Sequence, residues 1–324
     1  IVRRLVGSEM CIRDRIKNKM QHTYLHYLKV RKKYLKFLKS QEVLSEPFRD
    51  KLGQLNNFYL PLSEFIFKNY SKNKKTTIIG LTGGQGSGKS TISNILKILL
   101  KEAYNLNTVI FSIDDFYKTY KERKKMSEKV SPLFLTRGVP GTHDTNLLFS
   151  CLKKLKKSNF SKILIPKFDK SIDDRLPKKK WQKVEKKQDI VIFEGWCVGV
   201  TPQKEKDLIV PLNELEKDKD KKRIWRTKVN TELKKKYKDI FKLIDTTIFL
   251  KVPSFKHVFK WRLLQEKKLS VTSKGKKIMN KTQIKNFIMF YERLTKHMLK
   301  NFGKSADSII KIDEKHRLES IKFN

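Results

Sequence analysis

The sequence predicts an α/β protein: a doubly wound parallel sheet flanked by helices, with a helical extension at its N-terminus. Three observations carry this. Short β-branched, apolar runs alternate with stretches whose apolar residues recur every three or four positions. The runs are apolar through their middles, as in strands covered on both faces. The first of them, Thr76-Thr-Ile-Ile79, leads through a glycine-rich turn into an amphipathic helix.

Taken in order, the chain opens on Leu5-Val-Gly-Ser-Glu-Met-Cys-Ile-Arg-Asp14, which resembles the translated end of a sequencing-library adapter. Residues 1–15 are therefore set apart from fold reasoning, with native sequence expected from Arg15 or Ile16. From Ile16 to Tyr70 the period is helical. Tyr24, Leu25, Tyr27, Leu28, Tyr34, Leu35, Phe37 and Leu38 recur among lysines, predicting a helix packed on its own domain rather than on a membrane. Phe58–Ile66 reads as a turn and short helix, and Ser71–Lys75 as a polar link, so residues 16–75 form the extension.

After the strand at 76–79 comes Gly83-Gly-Gln-Gly-Ser-Gly-Lys-Ser90, a complete G-x-x-x-x-G-K-S phosphate loop. Its glycines let successive N–H groups converge on phosphate oxygens, and the helix that follows adds its positive end. Gly83, Gly84, Gln85, Gly86, Ser87, Gly88, Lys89, Ser90 and Thr91 are the nucleotide-binding candidates. Lys89 reaches the β- and γ-phosphates, and the Ser90 hydroxyl holds Mg²⁺. The ligand implied is a nucleoside triphosphate with its magnesium ion.

Thr108–Ser112 predicts a second buried strand ending in Asp114-Asp115, followed by a Lys-rich segment expected to be mobile and a turn-rich loop, Arg137–Asp144. Asn146–Lys156 reads as a helix. Lys162-Ile-Leu-Ile-Pro-Lys-Phe-Asp169 is expected as a further strand of the sheet, and Asp189-Ile-Val-Ile-Phe-Glu-Gly195 as another. Lys204–Arg223 is expected as a surface loop or short helix, and Ile224–Ile240 as a helix. Asp245–Val252 is the next strand, Phe255–Glu266 and Thr282–Leu299 are helical in period, and Ser308–Ile312 is the last strand.

In such sheets ligands sit beyond the carboxyl ends of the strands. That rule selects Asp114, Asp115, Asp169 and Glu194. Phosphoryl transfer needs a phosphate cradle, a metal, a group to take the acceptor's proton and cations around the moving phosphoryl. Asp114 is the candidate base. Glu194, with Ser90, is the candidate metal holder, and Asp115 is either structural or metal-linked. Arg137, His143, Lys170 and Arg175 are candidates for an anionic acceptor or the moving phosphoryl, because Arg grips carboxylates in a bidentate fork. Arg262 is either a lid arginine or the i,i+4 partner of Glu266.

The chain carries 75 Lys and Arg against 33 Asp and Glu, a net charge of +42 over 324 residues. Such a field favours anionic partners. The lysines are spread evenly and no nucleic-acid motif is present, so solvated surface charge and A/T-rich coding account for the excess better than a polyanion-binding face. Three cysteines without paired spacing imply a reduced compartment and no zinc site. No apolar run approaches the roughly 20 residues of a membrane helix. A cytoplasmic location is expected.

The phosphate loop, Ser112-Ile-Asp-Asp-Phe-Tyr117, Arg137-Gly-Val-Pro-Gly-Thr-His-Asp144, Pro166-Lys-Phe-Asp-Lys-Ser171 and Phe193-Glu-Gly-Trp196 together resemble the D-glycerate 3-kinase family. That family belongs with the phosphoribulokinase, uridine kinase and pantothenate kinase group. The likeness runs from Phe58 to about Ile312, so residues 76–324 are expected as the kinase domain. It implies transfer of the ATP γ-phosphoryl to the 3-hydroxyl of D-glycerate, with Lys89, Asp114 and Arg137 catalytic and His143 and Asp144 on the acceptor side. A sibling kinase for uridine, pantothenate or another sugar acid is the alternative, and a basic nucleotide switch on nucleic acid is the reading from another class.

Overall fold

The structure, a computed structural model, describes residues 24–42, 47–272 and 279–324. The adapter-like stretch and the first residues of the basic helix lie outside them. The chain runs α1 (24–41), α2 (Lys51–Gln54), a π-helical turn Leu55–Tyr59, α3 (Leu60–Asn73), β1 (Thr77–Gly83), α4 (Lys89–Tyr104) and β2 (Thr108–Ser112). It continues through α5 (Tyr120–Lys129), α6 (Thr145–Lys156), β3 (Ile163–Ile165), β4 (Phe168–Asp169), β5 (Asp174–Arg175), β6 (Gln182–Val184) and β7 (Ile190–Gly195). Then come α7 (Glu214–Lys219), α8 (Ile224–Glu232), α9 (Lys238–Phe241), β8 (Thr246–Lys251), α10 (Phe255–Thr272), α11 (Lys281–Asn301), β9 (Ser308–Ile312) and β10 (Leu318–Phe323).

The central sheet has the order β10-β9-β8-β1-β7-β2. All neighbours are parallel except β9 and β10, an antiparallel edge hairpin. Strand β7 lies between β1 and β2, pairing Leu81 with Glu194 on one side and Ser112 with Glu194 on the other. The sheet separates two apolar layers. Val191 and Phe193 of β7 face the layer built with α6, α8 and α11, while Ile190 and Ile192 face the one built with α1, α3 and α4. Burial on both faces explains why the strand reads as an unbroken apolar run. Each of those four side chains, at 0% exposure, contributes on the order of 1.5–3 kcal/mol.

Helix α1 enters the second layer through Val30, Tyr34 and Leu38, at four-residue spacing. The sequence picked the wrong edge of this helix in part, since Tyr24, Leu25 and Leu28 face outward. Lys33 reaches Glu102 of α4 at 2.7 Å.

Three expectations need correction. The apolar run at 162–169 is not a strand of the main sheet: β3 pairs antiparallel with β6, and β4 with β5, in separate small ribbons. Leu164 is exposed while Ile163 and Ile165 are buried, so only one face is covered, and Pro166 cannot donate to a ladder. The Lys-rich segment after Tyr117 is a helix, α5. Its start is fixed by a capping box in which Thr119 and Glu122 cap one another's backbone N–H groups, a T-x-x-E signal legible in sequence. Finally, β10 was not anticipated; its residues alternate weakly because most are exposed at the edge. Lys204–Arg223 forms a short 3-10 turn, Glu205–Leu208, and α7. No described helix is long and apolar enough to cross a membrane.

Candidate active site at the carboxyl edge of the sheet

Strand β1 delivers Gly83 to the sheet edge, and α4 begins at Lys89. Between them Gly86 and Gly88 hold φ of 76° and 86°, a left-handed conformation that side chains resist. The loop closes with Ser87 N–H donating to Gly84 O at 3.2 Å. The Lys89 ammonium folds back to donate to the carbonyls of Gly83 and Gly84, at 2.8 and 2.9 Å. Inside the loop the Gln85 amide and the Ser87 hydroxyl are buried without hydrogen-bond partners. Buried polar groups left unpaired beside a lysine that bonds only its own loop fit an anion with several acceptor oxygens. Thr91 is half-buried on the first turn of α4, with no side-chain hydrogen bond among the described residues.

At the end of β7, Glu194 Oε1 accepts from the Ser90 hydroxyl at 3.3 Å. Burial pushes the Glu194 carboxyl above its usual range, against the pull of Lys89. Burial likewise lowers the Lys89 ammonium, and Glu194 and Asp114 act to restore it. Among the described residues no cluster of three His, Cys, Asp or Glu side chains suits a metal ion.

Beyond β2, a 3-10 turn, Ile113–Phe116, presents the two aspartates in opposite directions. Asp115 turns back: its carboxylate accepts from Ser112 N–H at 3.2 Å and from Lys167 Nζ at 3.0 Å. It is a capping residue. Asp114 turns forward, accepting from the Tyr117 hydroxyl at 2.8 Å and from Lys170 Nζ at 2.7 Å. Burial would raise this carboxyl, but Lys170 and Tyr117 outweigh it and hold it down at about 2.

The loop Gly138–Asp144 forms the other wall. Trp196 Nε1–H donates to Gly138 O at 3.0 Å, and Tyr291 packs edge-on against the indole at 4.8 Å. Lys118 donates to the carbonyls of Gly141 and His143, at 2.6 and 3.0 Å. His143 is fully buried, stacked on Tyr117 at 4.6 Å. Its Nδ1 lies 2.6 Å from the Tyr237 hydroxyl, which already accepts from Gly141 N–H at 3.0 Å. The phenol proton therefore goes to Nδ1, and Nε2 carries the ring hydrogen. That Nε2–H has no partner among the described residues. Burial pushes the imidazole down to about 3, so it is a neutral donor.

The structure sorts the remaining candidates. Asp144 caps α6, accepting from Leu147 N–H at 3.0 Å, and receives Arg175 Nη1 at 3.3 Å. Arg175 spends its other nitrogens on Tyr117 O, at 3.2 and 2.8 Å. These two residues fasten the acceptor wall to the turn carrying Asp114. Arg137 lies over the Phe168 ring at 5.6 Å and pairs with Asp173. Asp169 accepts from Ser171 N–H at 2.8 Å within its own hairpin; it does not end a central strand as expected. Arg262 makes the i,i+4 pair with Glu266 and donates to Gln265 at 3.0 Å.

Sequence reading missed Lys118, Arg123, Lys167, Asp173, Tyr237 and Tyr291. Arg123, wholly buried, donates to the carbonyls of Lys118, Leu135 and Asp173 and pairs with the Asp173 carboxylate at 3.0 Å. No signal marks such a residue in a chain so rich in cations. Tyr237 sits in a π-helical turn, Leu233–Tyr237, whose extra residue per turn leaves no trace in the apolar period.

Residues 78–228 match the model of the phosphoribulokinase / uridine kinase family. An uncharacterized kinase of Schizosaccharomyces pombe, mug58, is 33% identical over 236 residues, covering 70% of this chain and 83% of that protein. The chloroplastic D-glycerate 3-kinase of Arabidopsis thaliana is 27% identical over 250 residues, covering 73% of this chain but 52% of that longer protein. A solved D-glycerate 3-kinase of Cryptococcus neoformans superposes with a TM-score of 0.69 at 24% identity, over 82% of this chain and 98% of that one, a likeness of fold.

Proposed function

The chain belongs to the phosphoribulokinase / uridine kinase family, and from that premise we propose that it phosphorylates the 3-hydroxyl of D-glycerate with ATP. One observation carries the reading: Glu194 pairs in register with Leu81 of β1 and with Ser112 of β2, so the strand leading to the phosphate loop and the strand leading to Asp114 end on either side of it.

In this reading the N–H groups from Gly83 to Thr91 and the Lys89 ammonium hold the triphosphate. Ser90 and Glu194 would hold Mg²⁺, which would supply charge neutralisation at the phosphates. Asp115, tied to Ser112 and Lys167, is left out of that set. Lys170, exposed on its hairpin, moves from Asp114 to the incoming anion and frees the carboxylate. The acceptor hydroxyl then gives its proton to Asp114 as its oxygen bonds the γ-phosphorus. The bond from that phosphorus to the bridging oxygen breaks, and ADP departs. Arg137, released from Asp173, supports the moving phosphoryl. The Nε2–H of His143 orients the acceptor.

A small acid suits this wall better than a nucleoside. Tyr117 has one face against His143 and its flank against Phe168 at 5.2 Å, so neither ring is open to stack a base. The likeness to the D-glycerate 3-kinase of Arabidopsis thaliana supports the same acceptor. The test is ADP release with Mg·ATP and D-glycerate, L-glycerate, uridine, pantothenate or ribulose 5-phosphate, with the product positioned by ³¹P-coupled NMR. Turnover confined to D-glycerate, yielding 3-phosphoglycerate, is expected. Turnover on another acceptor keeps the phosphate chemistry and removes Arg137, His143 and Asp144 as a glycerate site.

A further inference from the structure

Beside Gly141, α5, α8 and the turn after it line an open concavity of about 320 Å³. Five lysines line it, Lys118, Lys125, Lys129, Lys228 and Lys236, against one acid, Glu232. Lys228 pairs with Glu232 at 2.7 Å, Lys236 donates to Asn146 at 3.3 Å, and Lys118 is engaged with the loop carbonyls. Lys125 and Lys129, one turn apart on α5, have no hydrogen bond or ion pair among the described residues. Half-buried Met126 and Val130 lie between and beside them in the same lining.

We propose that this cavity is a second binding site, for a small anion bearing two phosphate groups. The balance of the lining is four positive charges, since one of five ammoniums is cancelled by Glu232. Like charges gathered in a concavity repel one another, and a multivalent anion relieves that repulsion where scattered surface lysines gain nothing comparable. Lysine ammoniums are compact donors that suit phosphoryl oxygens without demanding the planar fork of a carboxylate. The volume lies at the small end of ligand pockets, which favours a compact molecule over a nucleic-acid strand. At Lys118 burial lowers the ammonium, while Glu232, Asp144 and Glu122 act to restore it against Lys236. Nothing in this inference depends on which acceptor the catalytic site uses.

The experiment is calorimetric titration of sodium pyrophosphate into the whole protein without divalent cations, at about 0.15 M salt. Lys89→Ala serves as the background, to weaken binding at the phosphate loop. Lys125→Glu with Lys129→Glu is then added; both side chains are exposed, and an unchanged melting temperature verifies the fold. The background protein is expected to bind one saturable equivalent, and the charge reversals to weaken it at least tenfold. Equal binding by the two proteins overturns the site. So does unsaturable uptake, which marks an adventitious ion only, or displacement by short single-stranded RNA, which reassigns the lysines to nucleic acid.

Discussion

Lys170 Nζ stands 2.7 Å from Oδ2 of Asp114, joining an exposed ammonium on a hairpin to a half-buried carboxylate at the end of the sheet. The pair fixes the charge of the candidate base before any acceptor arrives. Burial alone would raise the Asp114 carboxyl; the ammonium, with the Tyr117 hydroxyl, holds it down at about 2.

Lys170→Met is therefore expected to raise the Asp114 carboxyl from about 2, because burial then acts against less opposition. The acidic limb of the kcat/KM profile should shift to higher pH. A carboxyl lowered on folding adds stability above its unfolded value and loses it as pH falls through the folded one. Wild type loses this contribution as pH falls from about 4 to about 2, so the variant should be the less stable protein above about pH 4, with the difference shrinking towards pH 2. Superimposable profiles would remove Lys170 as the controlling charge.

Asp114→Asn is expected to lower turnover by about 10²–10⁴-fold while leaving ATP affinity within a few-fold. Kinetics and nucleotide titration on the same preparation separate the two. Wild-type turnover would exclude Asp114 as base.

Protonating His143 is expected to work against the fold. Its imidazole drops from the usual 6.5 to about 3 on burial, so between these values the unfolded chain binds the extra proton. Stability then falls as pH decreases, by up to ~1.4 kcal/mol per unit. His143→Gln should flatten denaturant midpoints between pH 6.5 and pH 4 relative to wild type. An equal slope in both proteins would place the acid sensitivity elsewhere.

Tyr237→Phe removes the hydroxyl that joins Gly141 N–H to His143 Nδ1, leaving a buried amide without its acceptor. A loss of about 1–3 kcal/mol is expected, read from denaturant unfolding, with KM for the acceptor rising more than KM for ATP. Equal rises in both constants would mean general loosening rather than a displaced acceptor loop.

Gly138→Ala should be worse than Gly88→Ala. Both positions have positive φ, 143° and 86°, but a Cβ at Gly88 meets nothing within 4 Å, whereas one at Gly138 overlaps the Tyr291 hydroxyl. Strain alone costs about 1–3 kcal/mol, and the overlap adds to it. Melting temperatures rank the two directly.

Much of this site was legible because its parts sit where local sequence meets a fold rule. The phosphate loop announces itself through Gly88, Lys89 and Ser90, and Asp114 and Glu194 each close an apolar run. Asp169 was misplaced because β3 and β4 are apolar for a different reason, packing in small ribbons beside the sheet. Arg175 and Asp144 were named, but their bonding to each other and to Tyr117 depends on how the hairpin folds over the turn. Arg123 and Tyr237 stayed invisible, because a buried cation and a π-turn tyrosine acquire meaning only through carbonyls brought from distant segments. Charge was the least informative property of all: the same lysine type serves as surface, clamp and cavity lining.

The interposition of β7 between β1 and β2 also bears on biogenesis. Thr77 and Thr108 open consecutive strands, yet each pairs with Ile190 and not with the other. On a ribosome the glycine-rich loop emerges long before the strand that brings Glu194 to Ser90. Until that later strand inserts, the nascent chain has a loop without a floor and two strand edges exposed to misassociation. Nucleotide capture by the growing polypeptide would consequently mark the moment at which its central layer closes.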